Sequence, residues 1–367
     1  MNDANNWKTF KIGQLGEVVT GITPSTKNEN FWGEGYPFVT PSDFTGSKYV
    51  VKTERSITQE GAKTGRIIPK DSVMVTCIAT IGEVSLAQSE CMTNQQINAI
   101  IPGERVSPQF LYYAMLFNKA RLKRSAGITV SPIIKKTSFE RFLIDIPPVP
   151  EQKKIVEILS TVDERIENTN EKINKIKKIR KTAINKFFLN YNNEKKYKLG
   201  EIFSLEYGKG LSENMRKKGK YPVMGSNGII DWHSEYLVKG PGIVVGRKGT
   251  IGAVVYTDSD FWPIDTAYYV EVKNKEKVNL KWLSYKLENL KLNKLNMATG
   301  VPGLNREIVY EQKISIPEIS LQNIVVKNIS NIEKRIITEE TKKEVLIKIK
   351  KSLMNDLLSG KKRVRIP

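Results

Sequence analysis

Cysteine, histidine and long apolar runs are scarce in this chain. Its 367 residues hold two cysteines, Cys77 and Cys91, and a single histidine, His233. Neither cysteine belongs to a CxxC spacing, which argues against a zinc ribbon or a redox motif; two scattered thiols read as core residues of a cytoplasmic protein. One histidine cannot form a two-histidine metal site, and no nucleophile motif accompanies it, so His233 reads as structural or as a polar contact. No apolar run approaches the ~20 residues of a spanning helix, and Met1–Lys11 is too polar for a signal peptide, so a membrane partner is not expected.

Phosphate-binding loops are missing too. Tyr207-Gly208-Lys209-Gly210 and Gly240-Pro241-Gly242 complete neither a P-loop nor a GxGxxG turn, so no nucleotide site is assigned. Asp145-Ile146-Pro147-Pro148 comes near the Asp-Pro-Pro-aromatic motif of amino-methyltransferases, but an Ile intervenes and the aromatic is absent. Asp265, Glu271 and Lys273 imitate the spacing of a magnesium-dependent nuclease, yet the aligned positions Gln95, Ile101 and Gly103 of the internal repeat described below do not share it. Spacing-only motifs of this kind also occur as solvated strand ends.

Acidic residues fall short of basic ones, 39 against 59, and the net charge of +20 calls for an anionic partner. The basic residues are spread over folded-looking segments instead of one lipid-seeking tail, which favours nucleic acid. A hydrophobic content of 40% is that of a globular chain, with room for two or three domains.

Apolar residues recur at Ile155, Leu159, Val162, Ile166, Ile173, Ile176, Ala183 and Phe187, in steps of threes, fours and sevens that mark the seam of a coiled-coil helix. The seam returns 170 residues later at Val325, Ile329, Ile332, Ile336, Leu346, Leu353 and Leu357, interrupted at Lys343. Each helix is a candidate partner for the other. At 1.5 Å per residue such helices span roughly 55–60 Å.

Shorter repeats precede each helix. Leu15-Gly16-Glu17 is answered by Leu199-Gly200-Glu201, and Tyr36–Val39 by Tyr221–Met224. Val73–Thr76 followed by Thr80–Val84 matches Ile243–Gly246 followed by Thr250–Val254, two β-branched runs around a tight turn, hence a strand connection. Amphipathic helices follow at Phe110–Met115 and Trp282–Leu287, then Gly-containing loops at 127–131 and 300–305, then strands ending at Ile146-Pro147 and Ile316-Pro317.

The expected fold is α+β: two mixed α/β domains at residues 1–149 and 191–320, each followed by a long helix, 150–190 and 321–367, the second ending in a basic tail. A whole domain lies between the helices, so they are expected to pair antiparallel as a coiled coil, giving a pseudo-two-fold internal repeat. A basic protein of this form is suited to reading two separated stretches of one duplex. Candidate DNA contacts in the first domain are Thr23, Ser25, Ser42, Thr80, Asn94, Gln95 and Gln96; those in the second are Lys218, Ser226, Asn227, Arg247, Lys248, Thr250 and Asn305. Arg247-Lys248 on a Gly-containing turn is the sharpest, and its counterpart Cys77-Ile78 differs, as two domains reading different sequences require. A solvated turn is the alternative there, a buried amide is the alternative for Asn94–Gln96, and turn formation is the alternative for Ser42, Ser226 and Asn227.

The chain resembles the specificity subunit of type I restriction-modification systems. The features that carry the resemblance are Gly21-Ile22-Thr23-Pro24-Ser25 with Thr40-Pro41-Ser42-Asp43-Phe44, Ile146–Gln152, Gly246-Arg247-Lys248-Gly249-Thr250-Ile251-Gly252, Val301–Asn305, and Leu357-Leu358-Ser359-Gly360-Lys361-Lys362. The resemblance implies a non-catalytic subunit with two target recognition domains and helical spacers, reading a bipartite DNA site. It also implies recruitment of two methyltransferase subunits and up to two restriction subunits, with S-adenosylmethionine, ATP and magnesium belonging to those partners. The second helix departs from the Pro-Pro-x-x-Glu-Gln pattern of Pro147–Gln152, having Ile316-Pro317-Glu318 and then Leu321-Gln322. A nuclease or fused modification enzyme, and a DNA-bridging protein without sequence preference, are the competing functions.

Overall fold

The computed structural model describes residues 6–126, 132–191, 195–296 and 303–364. The loop at 127–131 and the pair Val301-Pro302, both singled out above, lie outside the described residues. Contacts divide the chain into two units, Met1–Thr169 with Lys342–Pro367, and Asn170–Thr341. The division therefore passes through both long helices, Val149–Asn190 and Ile319–Leu358.

The first unit is built on a five-stranded sheet ordered Gly16–Thr20, Ile97–Pro102, Val73–Thr76, Val84–Ala87 and Tyr49–Val50. All neighbours are antiparallel except the last pair. The runs Val73–Thr76 and Val84–Ala87 are buried on both faces, and the buried Ser85 hydroxyl donates to the Ser47 carbonyl at 3.1 Å. A three-stranded sheet of Arg55–Ile57, Trp32–Val39 and Met92–Thr93 stands beside it, and Lys8–Lys11 pairs with Leu143–Ile146. The helix Pro108–Ser125 begins where the Ser107 hydroxyl accepts the Phe110 amide at 3.2 Å, and its Phe110, Leu111 and Met115 enter the core.

The second unit repeats this plan. Its main sheet is ordered Phe203–Tyr207, Ala267–Val272, Gly242–Gly246 and Val254–Thr257; its smaller sheet holds Gly228–His233, Tyr221–Gly225 and Trp262–Pro263. Lys196–Lys198 pairs with Lys313–Ser315. Asn279 caps the helix Leu280–Leu290 by accepting the amides of Lys281 and Trp282. Both strand–turn–strand motifs are antiparallel connections as expected, but the second strands begin at Val84 and Val254. The Thr-Ile-Gly triplets ahead of them form the turn: Gly82 and Gly252 take φ of +85° and +72° while donating to the Thr76 and Gly246 carbonyls at 2.9 and 2.8 Å.

Within the first unit the helix segments are joined by Lys350–Asp163 and Arg363–Glu151 ion pairs, at 2.6 and 2.7 Å, so they run in opposite directions. Ile155, Leu159, Leu346 and Leu357 are buried there, and Val162, Ile166 and Leu353 are half-buried. Lys343, where the seam is interrupted, is half-buried. Thr169 is also buried; its hydroxyl returns to the Arg165 carbonyl at 2.7 Å, which lets a polar residue occupy an apolar position.

Within the second unit, Lys172 pairs with Glu339 and Arg180 with Glu333, again in opposite order. Ile173, Ile176, Val325, Ile329 and Ile336 are buried, and Ile332 is half-buried. The seam expected at Ala183 and Phe187 is displaced by one residue: Ile184 and Phe188 are buried, while Ala183 and Phe187 are only half-buried. A 3.6-residue turn drifts by ~20° per heptad against a 3.5-residue repeat. Phe188 packs edge-on to Trp282 at 5.9 Å, so the helix end turns toward its own domain.

Three side chains of each unit tie the domain helix to the spacer segments. Tyr113 donates to Asp163 at 2.6 Å, and Lys350 closes the set; Tyr285 donates to Glu333 at 2.8 Å, where Arg180 takes the cationic place. Burial and the neighbouring carboxylate raise both phenol pKa values.

Candidate nucleic-acid interface

The turn at Arg247-Lys248 is held from behind by backbone. Both amides donate to the Thr266 carbonyl at 2.9 and 3.0 Å, and the Arg247 carbonyl accepts the Leu304 amide at 2.8 Å. The first unit makes the matching bonds: Cys77 donates to Gln96 at 2.7 Å, and Ile134 donates to Cys77 at 2.9 Å. One frame thus carries different residues in the two units, Cys77-Ile78-Ala79-Thr80 in one, with Cys77 buried, and Arg247-Lys248-Gly249-Thr250 in the other. Ala79 keeps the left-handed φ of +60° that Gly249 adopts at +71°. A backbone that holds an alanine there costs about 1–2 kcal/mol and is retained by the surrounding bonds.

Arg247 is half-buried, with Nη1 donating to the Asp265 carbonyl at 2.9 Å and its guanidinium 5.0 Å from the Tyr207 ring. Arg306 lies over the same ring at 5.2 Å. Tyr207 is 51% exposed and packs against Tyr268 at 5.1 Å. This Arg–Tyr–Arg arrangement was not expected from sequence, because Tyr207 stands 40 residues from Arg247 and Arg306 another 59 beyond it. The only local signal was the incomplete glycine run after Tyr207. Gly208 is needed there, since a Cβ would collide with the Pro263 and Ile264 carbonyls; Gly21 is in the same position against Thr93 and Asn94.

Ser226 and Asn227 form the two-residue turn of the Tyr221–Gly225/Gly228–His233 hairpin. The Ser226 hydroxyl donates to the Thr266 carbonyl at 3.3 Å, joining the Arg247 rim, while Asn227, Lys248 and Thr250 are exposed. Asn305 is exposed too and caps Arg306–Tyr310 by accepting the Glu307 amide at 2.9 Å, so part of its polarity is structural. Lys218 is not part of this group. It is exposed near His233, at the opposite end of the same strand pair, roughly 15 Å away along a five-residue strand. His233 itself is buried and accepts the Lys217 amide at 2.9 Å.

In the first unit, Thr23 donates to the Gln95 side chain at 2.5 Å, and the Asn94 side-chain nitrogen donates to Gln96 Oε1 at 2.9 Å. Asn94 is 8% exposed and its oxygen accepts the Gln96 backbone amide, the geometry of the buried-amide alternative, in which it braces the loop. Gln95 is exposed and Gln96 half-buried. Ser42 is exposed, bonded to the Thr40 hydroxyl at 2.8 Å, and follows the strand whose Val39 accepts the Asn94 amide. Thr80 is exposed on the turn, and Ser25 is exposed with its carbonyl accepting the Trp32 indole at 3.1 Å. The first unit therefore presents neutral polar groups where the second presents cations.

The nuclease constellation does not assemble. Asp265 precedes the strand Ala267–Val272, whereas Glu271 and Lys273 stand at its far end, about 20 Å along an extended chain. Lys273 Nζ donates to the Gly200 carbonyl at 2.6 Å. Among the described residues there is no cluster of three or more metal-ligating side chains, and no helix is long and apolar enough to cross a membrane. Cys77 and Cys91 are buried, which pushes both thiols up to about 12.

The Pro-Pro-x-x-Glu-Gln departure is resolved by Gln152 and Gln322, both fully buried. Gln152 Nε2 donates to the Arg105 and Pro147 carbonyls, each at 2.9 Å, and its Oε1 accepts the Ser107 amide at 2.9 Å. Gln322 makes the same three bonds with Lys277, Pro317 and Asn279, at 2.9, 2.8 and 2.8 Å. The glutamine is common to both helices. Two pattern positions differ: Pro148 is answered by Glu318, and a buried Glu151 bound to Arg363 by a half-buried Leu321.

The profile of the family described as Type I restriction modification DNA specificity domain matches residues 4–178 and again 191–348, and the chain belongs to this family. It is similar to the type I restriction enzyme MjaIX specificity subunit of Methanocaldococcus jannaschii, 33% identical over 192 residues, or 51% of this chain and 44% of that one. The chain thus matches less than half the length of that relative. The MjaVIII specificity subunit of the same organism is 24% identical over 98% of this chain and 94% of its own. The fold is shared with the crystal structure of a type I restriction-modification system S subunit from M. genitalium, with a TM-score of 0.64, 20% identity, and coverage of 98% of this chain and 97% of that one.

Proposed function

We propose that this chain is the sequence-specific DNA-binding specificity subunit of a type I restriction-modification complex. It reads a bipartite site, one stretch with each unit. The observation that carries this reading is the shared backbone frame, which buries Cys77 in one unit and leaves Arg247 half-buried and Lys248 exposed in the other. That is the form required of two readers with one architecture and two sequences.

In this proposal the long helices form an antiparallel coiled coil along their length, give the chain a pseudo-two-fold repeat and set the distance between readers. Their outward charged faces receive two methyltransferase subunits, and up to two restriction subunits join for cleavage. The chain itself is non-catalytic and works in the cytoplasm. S-adenosylmethionine, ATP and magnesium belong to the partner subunits. Phosphate contacts by Lys and Arg supply affinity, while Arg247, Gln95 and the neighbouring rim groups read base edges.

Footprinting of the complex tests the reading. Two short protected blocks are expected, about one helical turn (roughly 10 bp) or more apart; general protection without sequence preference would make the chain a bridging protein. Arg247→Ala is expected to weaken binding by about 1–3 kcal/mol and to relax preference in one half-site only. Equal weakening on every sequence would reassign Arg247 to a phosphate.

A further inference from the structure

The hairpin of the second unit displays apolar side chains where the rest of the rim is polar. In its outer strand, Gly228–His233, neighbouring residues should face opposite ways, yet Ile229 and Ile230 are 54% and 50% exposed. The cause is a bulge: Met224 pairs with Ile229 and Val223 with Asp231, which leaves Ile230 opposite no partner. Gly225 makes space for it, since a Cβ there would stand 3.0 Å from Ile230 Cγ2. Two adjacent branched side chains held in water add nothing to the core. Bulges commonly re-aim side chains beside functional sites.

Their location is tied to the rim described above. The turn residue Ser226 donates to the Thr266 carbonyl that also receives the Arg247 and Lys248 amides. The isoleucines stand in the strand that this turn opens, one and two residues after Gly228. The corresponding strand of the first unit, Arg55–Ile57, has no such pair and instead places Arg55 over the Trp32 ring at 3.5 Å.

In the major groove the thymine 5-methyl group is the apolar feature among donors and acceptors. A turn bonded to the carbonyl that holds Arg247 and Lys248, and leading into exposed isoleucines, matches a duplex edge that sets acceptors beside methyl groups. Resting on the DNA-reading function proposed above, we infer that Ile229 and Ile230 recognise thymine methyl groups in the half-site read by the second unit. An apolar protein surface would not call for Arg247 and Lys248 at its border.

The test uses the full chain in its complex with methyltransferase subunits, binding a duplex that carries its site. Thymines are replaced one at a time by uracil, which pairs alike but lacks the methyl. Wild type is expected to lose about fourfold in affinity, the worth of one buried methyl-sized group, at one or two positions of a single half-site. Ile229→Ser with Ile230→Ser is expected to bind the thymine duplex more weakly by a similar factor and to be blind to those uracils, with its melting temperature unchanged because both side chains are exposed. Ile229→Val is expected to keep the discrimination. Indifference of wild type to uracil, or a half-site without thymine on either strand, would overturn the inference. So would a serine variant that loses the methyltransferase subunits, which would assign the patch to a protein partner. A wild-type complex that prefers no sequence at all would instead remove the DNA-reading function.

Discussion

Replacing Gln322 is expected to loosen the second unit far more than a surface glutamine would. The side chain is fully buried and holds three backbone groups: the Pro317 and Lys277 carbonyls, at 2.8 and 2.9 Å, and the Asn279 amide at 2.8 Å. Gln322→Leu keeps the volume but leaves all three groups unpaired. At about 1–3 kcal/mol for each orphaned group, with some relief by relaxation, the expected loss is about 3–5 kcal/mol. Gln322→Glu retains an acceptor for Asn279 but turns a second oxygen toward two carbonyls. A buried carboxyl among acceptors has its pKa raised above the unfolded value near 4.3. Its neutral form is favoured, so the variant is best tolerated below about pH 4.3 and loses about 1.4 kcal/mol per unit as pH rises toward the folded pKa. Hydrogen exchange at the amides of 280–290 reads this loss, with 108–125 as the internal reference. A Gln322→Leu cost below about 1 kcal/mol, within the ordinary range of surface changes, would refute the tie. So would a Gln322→Glu variant whose stability does not change with pH.

Two further predictions concern the first unit. Arg363→Ala removes two 2.7 Å bonds from the buried Glu151, which then keeps only the Trp7 indole at 3.3 Å among these bonds. The expected cost is about 1.5–3 kcal/mol, read as faster exchange in 149–160 with the second unit unaffected; no change there would show that the tail contributes nothing. Cys77 and Cys91, pushed up to about 12 by burial, hold stability that is full below their usual value of 9.0 and lost as pH rises from there toward 12. Both thiols are therefore expected to resist a disulfide reagent at pH 8 until urea unfolds the chain, and prompt labelling of native protein would contradict their placement.

Much of the architecture was legible because it repeats. A period of threes and fours is a statement about one helix face, and its return 170 residues later, with the Leu-Gly-Glu and Thr-Ile-Gly triplets at matching points, needs no tertiary knowledge. Exposure was legible where a residue's own turn displays it, as at Lys248, Gln95 and Asn227. It was illegible where position along the chain says nothing of burial: Asn94 and Gln95 are neighbours, yet one is a brace and the other is exposed. The nuclease spacing of Asp265, Glu271 and Lys273 failed for a related reason, since a strand carries its two ends apart.

By itself, then, the sequence determined the two-copy plan, the long helices, the strand–turn–strand frames and the excess of positive charge, because each follows from local periodicity and composition. Only the tertiary structure decided which side chains meet. It placed Tyr207 between Arg247 and Arg306, gave Gln152 and Gln322 one buried task, separated Lys218 from the rim, and moved the helix contact from Phe187 to Phe188. Each of these depends on closing chain segments tens of residues apart, where backbone hydrogen bonds and packing select among many contacts that a linear pattern leaves equal.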